Sequence, residues 1–97
     1  MRYSYDITPR PVELGGGWRL RLLEDGEEVG GGVFPVLPDA PAGIAWWSGL
    51  SEEERAQWLR RAAQPTAADA YLAQLQDEAW HDAEGTAYEW LDSRDHV

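Results

Sequence analysis

The dipeptide Asp25-Gly26 stands between two runs of alternating apolar residues and constrains the fold more than any other feature of this chain. The first run covers residues 17–24 and the second covers residues 27–34. Asp-Gly between such runs is typical of a two-residue type I′ turn, in which both turn residues adopt positive φ angles. The sequence therefore predicts an antiparallel β-hairpin that turns at residues 25–26.

A two-residue loop also fixes the expected register of the hairpin. The predicted cross-strand pairs are Glu24 with Glu27, Leu22 with Val29, Leu20 with Gly31 and Trp18 with Val33. This register places the apolar residues on one face and the arginines of the first strand on the other. We interpret the glycines of residues 30–32 as a flat segment on which a tryptophan ring packs at Gly31, or, if exposed, as a site of close backbone approach by a partner.

A further strand precedes the hairpin. Tyr3, Tyr5 and Ile7 alternate with polar residues, which is the period-two pattern of a half-buried strand. Pro9 ends this strand because proline cannot donate to a β-ladder. Residues 35–41 are rich in proline and predict a crossover from the sheet to helices.

Helical signals occupy the rest of the chain. Residues 43–50 are apolar and predict a helical turn or two, and Ser51 with Glu54 has the spacing of a capping box that begins a second helix. Pro65 ends that helix, and Thr66 is the capping signal of a last helix that runs nearly to the end of the chain.

These elements predict an α+β fold, with a three-stranded antiparallel sheet packed against two or three C-terminal helices. A chain of 97 residues has the length of one small domain. We therefore expect a single domain over residues 1–97, with the sheet in residues 1–36 and the helices in residues 43–94.

Charge limits the classes of partner. The chain has 18 acidic and 8 basic residues and a formal net charge of −10. Nucleic acids and anionic membranes repel such a protein, because binding to them requires basic side chains that displace counterions. No apolar run reaches the length of a membrane span, so we expect a cytoplasmic protein that does not bind nucleic acid or membrane directly.

Few residues of this chain can carry catalysis or hold a metal. The sequence has no cysteine and two histidines, His81 and His96. Glu78 and His81 have the Glu-x-x-His spacing of carboxylate metal sites, but such a site needs similar ligands on other helices. We therefore expect no enzymatic activity, no cofactor and no metal, and a solvated helix face at these two residues.

Acidic residues line one face of the last helix. Glu78, Asp82, Glu89 and Asp92 fall near one line at 100° per residue and lack basic residues four positions away that would balance them. Their spacing is of the order of the phosphate spacing along a nucleic-acid strand, so the row is a candidate binding site for a basic protein surface. Simple solvation of the helix is the alternative interpretation.

Six tryptophans in a chain of this size point to a large aromatic contribution to the core. Trp18, Trp58 and Trp90 occupy inward positions of their predicted elements. Trp46 and Trp47 are adjacent and diverge by about 100° on a helix, so we expect one of them to be exposed and available as an interface anchor.

The C-terminal half resembles small acidic uncharacterised proteins of bacterial prophages, plasmids and conjugative elements. The residues that carry this resemblance are the segment from Trp46 to Arg55, Trp58-Leu59, Ala70-Tyr71-Leu72 and Glu89-Trp90-Leu91. In size, acidity and lack of catalytic groups the chain is also similar to anti-CRISPR and anti-restriction inhibitors. This similarity implies a protein that presents carboxylates where the phosphates of a nucleic acid would lie, as a DNA mimic.

We therefore expect a non-enzymatic inhibitor that binds the basic surface of a host nucleic-acid-binding defence complex. Its contacts would be Glu78, Asp82, Glu89 and Asp92, with Trp46 or Trp47 as anchor. The alternative is a homo-oligomeric accessory or adaptor protein, such as a homodimer, that uses an exposed tryptophan and the glycine-rich strand as its interface.

Overall fold

Three antiparallel strands form one sheet in the computed structural model, which describes residues 2–95. Strand β1 covers Tyr3–Pro9, β2 covers Trp18–Glu24 and β3 covers Glu27–Phe34. They lie in the order β1-β2-β3, so β2 is central and β1 and β3 form the two edges. The predicted three-stranded antiparallel sheet is confirmed.

The turn between β2 and β3 has the predicted backbone geometry. Asp25 has φ +52° and Gly26 has φ +87°, so both turn residues adopt positive φ, as a type I′ turn requires. The Asp25 carboxylate also accepts a hydrogen bond from the backbone N–H of Arg2 at 2.9 Å. The turn is thereby held against the start of β1.

Beyond the turn, the predicted register of the hairpin is wrong. Glu24 opposes Glu27 as expected, but an irregularity between Leu22 and Leu23 shifts all later pairs by one residue. The pairs found are Leu22 with Gly30, Leu20 with Gly32 and Trp18 with Phe34. A β-bulge that places one extra residue on β3 reverses the faces of the strand beyond it.

The bulge moves two valines out of the expected buried face. Val29 is 52% exposed and Val33 is 53% exposed, whereas Leu20 is 1% exposed. Phe34 takes the place opposite Trp18 and packs against the core. Gly31, where we expected a tryptophan ring to pack, is exposed, and a β-carbon there would lie 2.1 Å from the carbonyl oxygen of Leu20.

The helices confirm the second half of the predicted fold, and the architecture is α+β. A 3-10 helix covers Val12–Leu14, followed after β3 by α1 at Ala40–Ser48, α2 at Glu52–Arg61 and α3 at Ala67–Asp95. None of the helices within residues 2–95 has the length and apolarity of a membrane-spanning segment.

Both predicted helix caps are present. Ser51 Oγ accepts from the Glu54 backbone N–H, and the Glu54 carboxylate accepts from the Ser51 backbone N–H, so the capping box is complete. Thr66 Oγ1 accepts from the Asp69 backbone N–H at the start of α3. These side chains supply acceptors for N–H groups that have no partner within the helix.

The chain divides into two compact units. The sheet unit contains the chain up to Pro35 together with the chain from Glu78 onward, and the helical unit contains residues 36–77. In the sheet unit, Leu20 and Leu22 of β2 form a core with Ala83 and Ala87 of α3. The side chains packed around this core are Tyr5, Ile7, Phe34 and Trp90.

Candidate functional site

The acidic face comprises Glu78, Asp82, Glu89 and Asp92 on the part of α3 that belongs to the sheet unit. All four residues are exposed. The opposite side of the same helix carries buried alanines, of which Ala83 and Ala87 are 0% exposed. Because alanine side chains are small, α3 can lie close to Leu20 and Leu22 of β2. Burial of these alanines fixes the rotation of α3 about its axis, and this rotation directs the carboxylates outward.

The spacing of the acidic face follows from helix geometry. From Glu78 to Asp92 the helix advances by about 21 Å, at about 1.5 Å per residue. Successive members of the face are separated by about 5–10 Å along the axis. Gly85 lies within this row, and a β-carbon there would meet no atom within 4 Å. The surface at Gly85, in the middle of the row, is therefore open.

The ion pairs found within residues 2–95 leave the acidic face uncompensated. The ion pairs between described residues are Arg19–Glu28, Arg21–Asp6, Arg21–Glu28 and Arg61–Asp77. None of these pairs, within residues 2–95, uses a carboxylate of the acidic face. Arg94, in the last turn of α3, places its guanidinium 5.4 Å from the centre of the Trp90 ring. The acidic face therefore presents a row of negative charge to solvent.

Glu78 and His81 stand on the exposed side of α3. The His81 ring packs edge-on against Trp80, with ring centroids 5.5 Å apart. Within residues 2–95, no group of three or more histidine, aspartate or glutamate residues is arranged to hold a metal ion. His96 lies outside the described residues.

Trp46 and Trp47 have different surroundings in the helical unit. The Trp46 ring contacts the rings of Trp58 and Tyr71, with centroids 5.6 and 5.8 Å apart. Trp47 stacks with Arg55, whose guanidinium lies 5.4 Å from the ring centre and whose Nε donates to the Trp47 carbonyl. Both tryptophans are half-buried, and Trp46 lies within an aromatic cluster.

An apolar groove in the helical unit was not predicted from the sequence. Its volume is about 550 Å³, and it opens between α1, the loop that precedes α1, and the start of α3. The lining residues are Pro38, Ala40, Gly43, Ile44, Trp47, Ser48, Ala67, Ala68, Tyr71 and Leu72. Ile44, on its lip, is 69% exposed. Of the predicted anchor residues, Trp47 is thus the one that lines an open surface.

Tyr5 of β1 and Tyr88 of α3 meet edge to face in the sheet unit, with ring centroids 5.8 Å apart. Hydrogen bonding with Tyr88 and burial raise the pKa of Tyr5 to about 12, and the negative charge of Glu84 contributes in the same direction. All of these causes favour the neutral phenol of Tyr5. The pair joins the sheet to α3 beside the core.

Comparison of this chain with protein families, curated proteins and solved structures found no match. The resemblance to acidic proteins of mobile elements therefore remains an expectation from the sequence.

Proposed function

We propose that this protein is a non-enzymatic binding protein whose acidic face engages a basic, nucleic-acid-binding surface of another protein. The observation that carries the proposal is the row formed by Glu78, Asp82, Glu89 and Asp92, which is exposed and has no basic partner among residues 2–95. A surface that binds nucleic acid presents arginine and lysine at the spacing of phosphates. Carboxylates at a similar spacing compete for the same side chains.

Occupation of that surface would exclude the nucleic acid, so the expected activity is inhibition. The resemblance to anti-CRISPR and anti-restriction proteins supports a host defence complex as the target. The net charge of −10 supports a basic partner, because opposite fields steer encounter and increase the association rate. Trp47 lines the groove and stacks with Arg55, so it is a better candidate for an anchor than Trp46.

The test is affinity capture from a bacterial lysate, with the bound proteins then challenged by duplex DNA and by salt. We expect the captured proteins to bind nucleic acid, to be released by competing DNA, and to be lost as the salt concentration rises. The Asp82→Arg/Glu89→Arg variant should capture at least about tenfold less, because it replaces attraction by repulsion at two contacts.

The matched control is Glu13→Arg/Glu53→Arg, which changes the net charge equally at exposed residues outside the acidic face. This variant should retain most of the binding. Equal loss in both double variants would show that total charge, not the acidic face, governs binding. Capture that competing DNA leaves unchanged would contradict binding at a nucleic-acid surface.

A further inference from the structure

Strand β3 is an exposed edge of the sheet. All residues from Glu27 to Gly31 are exposed, whereas β1 at the other edge is half-buried from Tyr3 to Thr8. The outer side of an edge strand presents backbone N–H and C=O groups without strand partners, which is a template for pairing with another strand. Natural edges are often protected by lysine, proline or inward-facing charges. Residues 29–33 contain none of these, and the β-bulge, which is another such protection, lies at the Glu28–Gly30 end of the strand.

The bulge determines which side chains of β3 face away from α3. Gly30 and Gly32 lie on the same face of the sheet as Leu22 and Phe34, because a β-carbon on them would lie 3.6 Å from Leu22 Cδ1 and Phe34 Cε2, respectively. Val29 and Val33, each about half exposed, therefore lie on the outer face. Between them stands Gly31, whose φ of +151° departs from regular strand geometry.

We propose that the edge of β3 pairs antiparallel with β3 of a second copy of this chain, about a two-fold axis at Gly31. The two three-stranded sheets then join into one six-stranded sheet. In this register Val29 of each copy lies opposite Val33 of the other, so two exposed apolar pairs become cross-strand neighbours. The partner is a second copy because the edge is complementary to itself in this register.

Neighbouring registers lack this complementarity. Opposed residues of two antiparallel strands have their side chains on the same face of the sheet. A two-fold axis perpendicular to the sheet must therefore pass between the two copies of one residue, so that this residue lies opposite itself. An axis at Gly30 places Val33 opposite Glu27, and an axis at Gly32 places Val29 opposite Pro35, which has no N–H donor. Only the axis at Gly31 pairs valine with valine twice.

Charge selects the antiparallel direction. In the antiparallel arrangement, Glu27 and Glu28 of one copy lie beside Pro35 and Phe34 of the other. A parallel arrangement in register would align the glutamates of both copies, and like charges directly opposite each other destabilise a sheet. The acidic residues near the turn therefore disfavour parallel association and permit the antiparallel one.

A strand pair over residues 29–33 is small compared with the roughly 800 Å² per partner of a standard stable interface. The association should therefore be weak and depend on protein concentration. It is independent of the acidic face, since it needs no other protein. The absence of cysteine from the chain allows introduced cysteines to report the register.

The experiment mixes two single-cysteine variants, Val29→Cys with isotope labelling and Val33→Cys without it, and oxidises the mixture under mild conditions. Opposed residues of antiparallel strands have β-carbons about 4.5–5.5 Å apart, within reach of a disulfide after small adjustment. We expect heterodimers that join the two variants to exceed either homodimer at least about tenfold by mass spectrometry, since each homodimer would join residues far apart along the edge.

The control is Val12→Cys, whose parent residue is 86% exposed and lies outside the sheet. Its cross-linking should be at least about fivefold slower, because random collisions alone bring the thiols together. A statistical distribution of heterodimers and homodimers, or a rate equal to that of the control, would overturn the proposal. Dominant homodimers of the Val29→Cys variant would indicate parallel pairing and would also overturn it.

A second variant tests the same association without cysteine. Val33→Lys places a charge on the exposed face of the edge, where it should not disturb the core, and sedimentation then measures self-association. We expect the concentration-dependent dimer of the unmodified protein to weaken at least about tenfold, while circular dichroism stays unchanged. A dimer of equal strength in the variant, or a monomer at all concentrations for the unmodified protein, would refute the pairing.

Discussion

Gly43 of α1 lies directly against the ring of Tyr71 in α3. A β-carbon on Gly43 would come within 2.8 Å of Tyr71 Cδ2, closer than real β-carbons approach, and within 3.0 Å of Cε2. Glycine within a helix costs about 1 kcal/mol relative to alanine. The close approach of the two helices in the helical unit explains why glycine occupies this position.

The first prediction concerns this contact. Gly43→Ala should lower the free energy of unfolding by about 1 kcal/mol, because overpacking costs about 1–3 kcal/mol and the gain in helix propensity offsets about 1 kcal/mol of it. Gly85→Ala is the matched control, since its β-carbon enters open space within α3. It should raise the stability by up to about 1 kcal/mol in urea unfolding. Opposite signs for the two changes are the expected result.

The second prediction concerns β3. Gly31 has φ +151°, and a β-carbon there would lie 2.1 Å from the Leu20 carbonyl oxygen. Gly31→Ala should therefore destabilise the fold by at least about 2 kcal/mol, through backbone strain and displacement of β2. Gly30→Ala, with 3.6 Å to Leu22 Cδ1, should change the stability by less than about 1 kcal/mol. Thermal unfolding of both variants distinguishes a positional requirement from a general cost of side chains on this strand.

The hairpin shows which features of the fold could be predicted from the sequence. Asp25-Gly26 predicted the turn because positive φ is a local property of those residues. The shift at Leu22 was missed, since a bulge depends on contacts beyond the turn, here the packing of Phe34 against the core. Insertion of Phe34 opposite Trp18 buries a larger side chain than the predicted Val33 would have done. Counting residues outward from the turn cannot predict whether Phe34 or Val33 lies opposite Trp18.

The candidate site shows the same division. Helix periodicity placed Asp82 and Glu89 on the exposed side, because the alanines on the opposite side of α3 form a regular stripe. The groove beside Trp47 combines residues from a loop, α1 and the start of α3. No local pattern links these segments. Gly43 and Tyr71 are also far apart in the sequence, so their contact can be recognised only once the packing of α1 against α3 is known.

The third prediction concerns the capping box of α2. Ser51→Ala removes the acceptor of the Glu54 backbone N–H, whose bond to Ser51 Oγ is 3.2 Å long. We expect a loss of about 1 kcal/mol in the free energy of unfolding, as for other N-cap serines. Ser93→Ala is the control, because the Ser93 hydroxyl donates within α3 to the Trp90 carbonyl and caps no free N–H. An equal effect of the two changes would contradict a role for the cap.

The same box has a consequence at low pH. The hydrogen bonds from Ser51 lower the pKa of Glu54. A carboxyl group with a lowered pKa in the folded state stabilises the protein above its ordinary pKa and loses that contribution as the pH falls. The stability difference between the unmodified protein and Glu54→Gln should therefore shrink in acid unfolding experiments below about pH 4.5.

The fourth prediction concerns alkaline pH. The pKa of Tyr5 is about 12 in the folded protein, against an ordinary value of 10.0. Between these values the unfolded chain loses the phenolic proton while the folded protein retains it, so the free energy of unfolding falls as the pH rises from about 10 to about 12. The contribution is complete below about pH 10. Urea unfolding at a series of pH values measures the slope.

Two variants assign that slope to the tyrosine pair. Tyr5→Phe removes the titrating group, and Tyr88→Phe removes the hydrogen bond that is the largest cause of the raised pKa. Both should flatten the decline in stability above about pH 10 relative to the unmodified protein. Tyr3→Phe keeps the hydroxyl groups of the pair and should retain the decline, although its ring also packs on α3, 5.5 Å from Trp90. If Tyr3→Phe flattened the slope as much as Tyr5→Phe, the decline would not arise from the contact between Tyr5 and Tyr88.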